Sequence, residues 1–363
     1  MTRRRSQGFL RSQLLATALA VGGTLACAGQ PTICPGPPGH TRQRAPAAIT
    51  QYLVALHSEP YDQRQACATW AGTQADRPRA RDAAVDPLPA RFIVFAVPEV
   101  GLGRLAASLG RNQHVHSVET ASRFLVVSFA RRTPSEKLRR ILADKSIEYV
   151  EPDCDGPDFL TTSLDLMSAD PARVRCWEHA ARDVFPNDPC IDELWGHSKI
   201  GWSSTLAARS LRRVVAVLDS GIDSGHADLA NNVMIDVSSF EPPGSQGRSL
   251  NERCATSGRC YPHGTEMAGT IGGRMDNGIG VAGIAPNSLL LPIVISRVDH
   301  GLLARLSTIA EGIDAAVRGG ADVINISAKW PVDSRAISES VRAAVTAGGG
   351  RRRLLVTGYA TSL

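Results

Sequence analysis

Residues 214–229 read VVAVLDSGIDSGHADL. Five apolar residues precede Asp219 without one polar interruption, which is the texture of a strand buried on both faces rather than of a half-exposed one. The strand reads as RVVAVLD (213–219), and two later segments share its character, SLLLPIVI (288–295) and ADVINIS (321–327). Helical patterns separate them. One covers 263–273; a second covers 304–318, with Leu306, Ile309, Ile313 and Val317 on one face and Gly319-Gly320 as its stop; a third covers 334–347. Buried strands alternating with helices predict an α/β fold, a doubly wound parallel sheet with helices on both faces. In such folds the crevice at the carboxyl ends of the strands holds the site. Asp219 ends its strand there, although Asp-Ser-Gly alone reads equally well as a turn.

A second stretch, PHGTEMAGTIGG (262–273), sharpens the reading. His263 opens a helix, where the positive end of the dipole disfavours imidazolium and keeps the ring ready to accept a proton. Gly264, Ala268, Gly269, Gly272 and Gly273 are small enough for close backbone approach. A histidine at a helix start is often a surface residue, but Asp219 lies 44 positions upstream on a neighbouring element. The two together suggest a base and its orienting carboxylate.

Upstream, residues 91–153 have a different order. A strand at 91–97, a helix at 102–109, one or two strands within 115–129, an amphipathic helix at 135–143 (Leu138, Ile141 and Leu142 on one face) and a strand IEYVEPD (147–153) predict a small ferredoxin-like α+β module. Residues 29–90, rich in Pro, Arg, Ala and Asp, read as linker with room for one helix around Ile49–Trp70, and 154–186 as a second linker. The domain expected to follow spans 187–363.

Residues 1–28 read as an export signal: Arg3, Arg4, Arg5 and Arg11, a short apolar run to Ala26, and Ala26-Cys27-Ala28 as an A-x-A cleavage site. Secretion or a periplasmic location follows, ahead of lipid anchoring through Cys27, and the mature chain has no transmembrane helix. Hydrophobic residues make up 43% and charged residues 21%, enough for a packed core. The net charge of +5 comes from basic residues spread along the chain, which argues against a nucleic-acid partner. Of eight cysteines, seven survive loss of the signal, so one is expected to be free or paired to another chain. Cys254 and Cys260 bracket a short loop and form the best candidate bridge, ahead of a metal site with His263.

With these motifs in place, the chain from residue 91 onward resembles the subtilisin-like serine proteases, the subtilases. LDSGIDSGHADL resembles their aspartate motif, with Ala227 where proline is usual, and HGTEMAGT their histidine motif. NGIGVAGIAP (277–286) resembles the segment that follows, VINIS (323–327) the strand lining the substrate cleft, and PNDPCIDELWGHSKIG (186–201) the start of the catalytic domain. The module ending EYVEPD (148–153) resembles the inhibitory propeptide. The resemblance implies that Asp219 orients His263 and that His263 is general base for a serine, in the chain order Asp, His, Ser. It also implies a structural Ca²⁺ held by Asp228, Asn277 and the carbonyls of Met275, Ile279 and Val281, an all-oxygen set suited to that ion; a plain turn at Asp276-Asn277-Gly278 is the alternative. Its partners would be a polypeptide substrate or a related protease.

Three departures accompany the resemblance. Ala328-Lys329-Trp330 stands where the family has Leu-Gly after its cleft strand, and no Ala-Gly-Asn oxyanion segment or Gly-Thr-Ser-Met-Ala-type nucleophile motif occurs in the 363 residues. The last stretch, GGGRRRLLVTGYATSL (348–363), stands where the family continues with glycine and a run of valines. Codons GTC-GTC-GTC read one base out of step become CGT-CGT-CGT, three arginines, so a frame error is one account of Arg351–Arg353. The other is that Leu354-Leu355-Val356 is itself the strand. The chain is therefore expected to be an incomplete protease, inactive as written, with an inhibitor or folding module acting in trans, or a non-functional fragment, as alternatives.

Overall fold

Asp219 ends the strand around which the second half of the molecule is built. The structure, a computed structural model, describes Cys67 and residues 90–154, 183–234, 263–297, 303–328, 334–346 and 353–357. The expected export signal, the helix around Ile49–Trp70 apart from Cys67, and the Cys254–Cys260 bridge lie outside the described residues.

The first module contains strand β1 (Arg91–Ala96), helix α1 (Leu102–Gly110), strands β2 (Val115–Thr120) and β3 (Leu125–Phe129), helix α2 (Ser135–Leu142) and strand β4 (Ile147–Pro152). Its sheet order is β2-β3-β1-β4, with every pair antiparallel. This is the ferredoxin-like arrangement expected from the element order. Side chains alternate across the sheet. Phe92, Val94, Leu125, Val127 and Phe129 pack on Leu105 and Leu109 of α1 and on Leu138 and Leu142 of α2. Ile93, Phe95 and Val126 point the other way, into a second core.

Short helices follow: a 3₁₀ turn (Ile191–Glu193), α3 (Trp195–Lys199) and α4 (Ser204–Ala208). Then come β5 (Val214–Asp219), α5 (His263–Gly272), β6 (Leu289–Val294), a small antiparallel pair β7 (Ser296–Arg297) and β8 (Leu303–Ala304), α6 (Leu306–Arg318), β9 (Val323–Ile326), α7 (Arg335–Thr346) and β10 (Leu354–Thr357). The main sheet has the order β10-β9-β5-β6 and is parallel throughout. β10 pairs in register with β9, Leu354 opposite Val323, so Leu354-Leu355-Val356 forms a strand. It is an edge strand, with Leu354 and Val356 exposed.

The β5 side chains divide between two layers. Val215 and Val217 pack with Leu290 under Met267, Ala268 and Ile271 of α5. Ala216 and Leu218 pack with Leu291 and Ile293 under Leu306, Ile309 and Ile313 of α6, joined by Ala336 and Ile337 of α7. The chain leaves β5 through α5 on one face and leaves β9 through α7 on the other. The strand order therefore reverses between β5 and β9, and the crevice belongs at their carboxyl ends. Asp219 stands there.

The second core does not stop at α6 and α7. Ile93, Phe95, Ala121, Phe124 and Val126 of the first module complete it, so the module sheet is covered on both faces. Polar contacts close the same junction. At α7 the Ser334 hydroxyl accepts from Ile337 N at 3.2 Å, but α6 starts without a cap of its own: Arg305, before it, makes no side-chain cap bond. Asp153 substitutes, accepting from the Ser307 amide and hydroxyl at 2.9 and 2.8 Å. At α7, Glu151 accepts from Ser334 Oγ (2.8 Å), Arg335 N (2.8 Å) and Ala336 N (3.2 Å). Two helix N-termini, each with orphan amides and a positive dipole end, thus receive carboxylates from β4 and the residue after it. Glu311 of α6 reciprocates, accepting from Ser122 N at 2.7 Å. Burial pushes the carboxyls of Glu151 and Glu311 up, against the pull of these hydrogen bonds.

One cross-link was not foreseen. Cys67 and Cys154 are joined with Cα atoms 5.6 Å apart, tying the segment read as linker to the end of the module. Among the described residues no cysteine is free, and Cys190 is also disulfide-bonded.

Candidate active site

β5 delivers Asp219 to the crevice almost fully buried, at 1% exposure. Its Oδ1 accepts the Ser220 amide at 2.7 Å, which fixes the carboxylate plane. His263, the first residue of α5, donates from Nδ1 to both carboxylate oxygens, at 2.7 and 2.9 Å. The carboxylate therefore holds the ring in the tautomer whose Nε2 carries the basic lone pair, and it stabilises the imidazolium that forms when a proton arrives. The histidine side chain retains 15% exposure against 2% for the aspartate. The orienting group is thus shielded from water while the base can meet a reacting partner.

The backbone fixes this pair from below. Gly264 N donates to Ser220 Oγ at 3.0 Å and Asp223 N to Thr265 Oγ1 at 2.8 Å, stitching the start of α5 to the turn after β5. A Cβ at Gly264 would collide with the Gly221 carbonyl oxygen, so the approach of the two motifs depends on that glycine. Gly273, at the other end of α5, lets the helix end approach Val281 instead.

The proposed ion-binding loop is also brought together. Asp228 is buried, and Asn277 Nδ2 and Val281 N donate to its two oxygens at 2.9 and 2.8 Å. Asp276, Gly278 and Gly280 all have positive φ (63°, 76° and 59°), which curls the loop. Its amides find acceptors that sequence reasoning missed. Asp188, fully buried, accepts from Asp276 N (2.8 Å) and Asn277 N (3.3 Å), and Asn187 Oδ1 accepts from Gly278 N (2.7 Å). The signal was present in PNDPC (186–190), read only as the start of a domain. Burial pushes the Asp228 carboxyl up, its bonds from Val281 and Asn277 oppose this, and the charge of Asp188 pushes it further. Two buried carboxylates lie beside this curled loop and accept from its amides and from Asn277 Nδ2; oxygen ligands of this kind are what a hard cation takes. Among the described residues no group of three or more His, Cys, Asp and Glu side chains is arranged to hold a metal, so backbone and amide oxygens would have to supply the rest.

Of the cleft strand, Asn325 Nδ2 donates to Ser327 Oγ at 3.0 Å. Lys329 and Trp330 lie outside the described residues, as do Arg351, Arg352 and Thr361–Leu363. No described helix is long and apolar enough to cross a membrane.

Comparison with known proteins agrees with this geometry. Residues 212–357 match the family model Peptidase_S8, the subtilase family. The major intracellular serine protease of Bacillus subtilis (strain 168) is 31% identical over 147 residues, 40% of this chain and 43% of that protein. Subtilisin of Bacillus pumilus is 39% identical over 138 residues, 37% of this chain and 43% of that protein. Fervidolysin of Fervidobacterium pennivorans is 31% identical over 196 residues, covering 52% of this chain and 27% of that protein. The chain thus spans less than half the length of each. An aspartate-oriented histidine at the switch point of a parallel sheet thus lies within residues 212–357, the segment that matches the subtilase family.

Proposed function

We propose that residues 212–357 supply the base half of a serine endopeptidase site, and that these 363 residues alone do not turn over peptide bonds. The observation that carries this is the 2.7 Å contact between His263 Nδ1 and Asp219. In peptide hydrolysis the His263 imidazole would take the proton of a serine hydroxyl as it attacks the scissile carbonyl, then return it to the leaving amine. Asp219 would hold the ring in place and stabilise the imidazolium that forms. Neither the serine motif nor the oxyanion asparagine segment occurs in the sequence. A chimera in which residues 214–346 replace the matching segment of Bacillus pumilus subtilisin, assayed on casein with and without His263, tests the reading.

The first module supports a second reading, an inhibitory or folding role. It has a core of its own between sheet and helices, and it caps α6 and α7 from outside. The same module could act on a related protease.

Ca²⁺ would be held by Asp228, Asn277 and the carbonyls of Met275, Ile279 and Val281, where it would neutralise buried negative charge and lock the loop beside α5. Calcium at 100 times its Kd should then stabilise the protein by about 2.7 kcal/mol. Thermal unfolding with Ca²⁺ and with chelator measures this. An equal response in Asp228→Asn would place the effect elsewhere.

Export follows from residues 1–28. N-terminal sequencing should find Gly29 at the start of extracytoplasmic protein; an intact Met1 in cytosolic protein would refute it.

A further inference from the structure

We propose that a cavity at the amino-terminal ends of β5 and β6 binds a small tetrahedral oxyanion, a phosphate or sulfate group. The cavity has a volume of about 450 Å³ and is lined by Ser210, Arg212, Asn231, Asn232, Arg274 and Asn287. Among the described residues no acid and no large apolar side chain lines it. Arg212 and Asp219 flank opposite ends of β5, and five strand steps of about 3.3 Å put the cavity about 17 Å or more from the Asp219–His263 pair. It is a separate site.

Among the described residues its charge is uncompensated. Arg213 has Asp322 at 3.9 Å, but neither Arg212 nor Arg274 makes an ion pair among the described residues. Arg274 is half-buried. Two guanidinium forks in one concavity are the arrangement that binds phosphate-type oxygens in parallel pairs.

The neighbouring groups that could oppose an anion are already engaged. α5 ends here, and the negative end of its dipole would repel a phosphate. Its last carbonyls are all capped: Gly269 O by Gly273 N, Thr270 O by Ile284 N, Ile271 O by Ala285 N, and Gly272 O by Asn232 Nδ2. The carbonyls at the end of α4 are likewise taken, since Asn287 Nδ2 lies 3.1 Å from Ala208 O and 3.2 Å from Ser210 O. By contrast, Ser210 Oγ is buried and has no hydrogen-bond partner among the described residues. An orphaned hydroxyl of this kind has a cost that an oxyanion acceptor would remove. Among the described residues, two arginine side chains without an ion pair and a hydroxyl without a hydrogen bond meet in one cavity.

The test titrates the full chain with inorganic phosphate and, separately, sulfate in calcium-free buffer, against sodium chloride at equal ionic strength. Thermal unfolding is the readout. The unfolding midpoint should rise saturably with either or both oxyanions and not with chloride; a response to phosphate alone or to sulfate alone identifies which group the site takes. Arg212→Gln, at an exposed position that leaves the core untouched, should weaken the response about tenfold or more, and Arg274→Gln should do the same. Ser210→Ala should weaken it less. Absence of a saturable response to both anions in the wild-type chain overturns the proposal. So does an unchanged response in the Arg212→Gln/Arg274→Gln double variant.

Discussion

Casein should be cut by the subtilisin chimera carrying residues 214–346 and left untouched by the 363-residue chain. The magnitudes decide this. Loss of the nucleophile from the triad of subtilisin itself costs about 10⁶ in kcat. Loss of one oxyanion donor costs about 10²–10³ more. An imidazole without a serine must activate water directly, with no acyl-enzyme to divide the barrier. Asp219 and His263 are well placed, but placement of a base does not replace what it activates. In the chimera, His263→Ala should remove nearly all cleavage, and Asp219→Asn should lower kcat about 10⁴-fold by releasing the tautomer. A folded chimera that cleaves casein equally well without His263 would sink the assignment. So would His263-dependent cleavage by the 363-residue chain.

The second large effect is structural. Gly264→Ala should destabilise the protein by about 3 kcal/mol, because its Cβ meets the Gly221 carbonyl, and backbone cannot rotate away as a side chain can. At this size the unfolding midpoint should fall by roughly 10 °C. Gly269→Ala, five residues along the same helix, is the matched control. There the nearest atom to a new Cβ is Val281 Cγ2 at 3.9 Å, an ordinary contact. That substitution should be neutral or stabilise by about 0.5–1 kcal/mol through helix propensity. Equal midpoints for the two variants would show that the approach of α5 to the Asp219 turn is not set by Gly264.

These two glycines show how the sequence could be read and where it fell silent. Buried parallel strands announce themselves, because both faces need apolar residues; β5, β6 and β9 were each found to within two residues at either end. The helix faces were legible for the same reason, with Leu306, Ile309 and Ile313 all buried in the core beneath α6. Motif spelling put Asp219 and His263 on the right elements, and the structure brought them into contact. What remained hidden was non-local. The bond between Cys67 and Cys154 spans 87 positions, and no spacing rule pairs them. Asp188 lies 88 positions before Asp276, whose amide it accepts, and only the folded loop makes them neighbours. The small pair β7–β8 and the short helices α3 and α4 carry too few residues for a period to register. Glu151 and Asp153 were read only as part of the strand IEYVEPD. Their role as caps for α6 and α7 needed the two helices to be placed first.

The central claim is that Asp219 holds His263 as a neutral base with its proton on Nδ1. Nitrogen-detected NMR of ¹⁵N-histidine-labelled protein at neutral pH tests it directly. The account predicts a protonated Nδ1 with its proton shifted far downfield, an unprotonated Nε2, and loss of both features in Asp219→Asn. A proton resident on Nε2, or a His263 spectrum unchanged by Asp219→Asn, would contradict it.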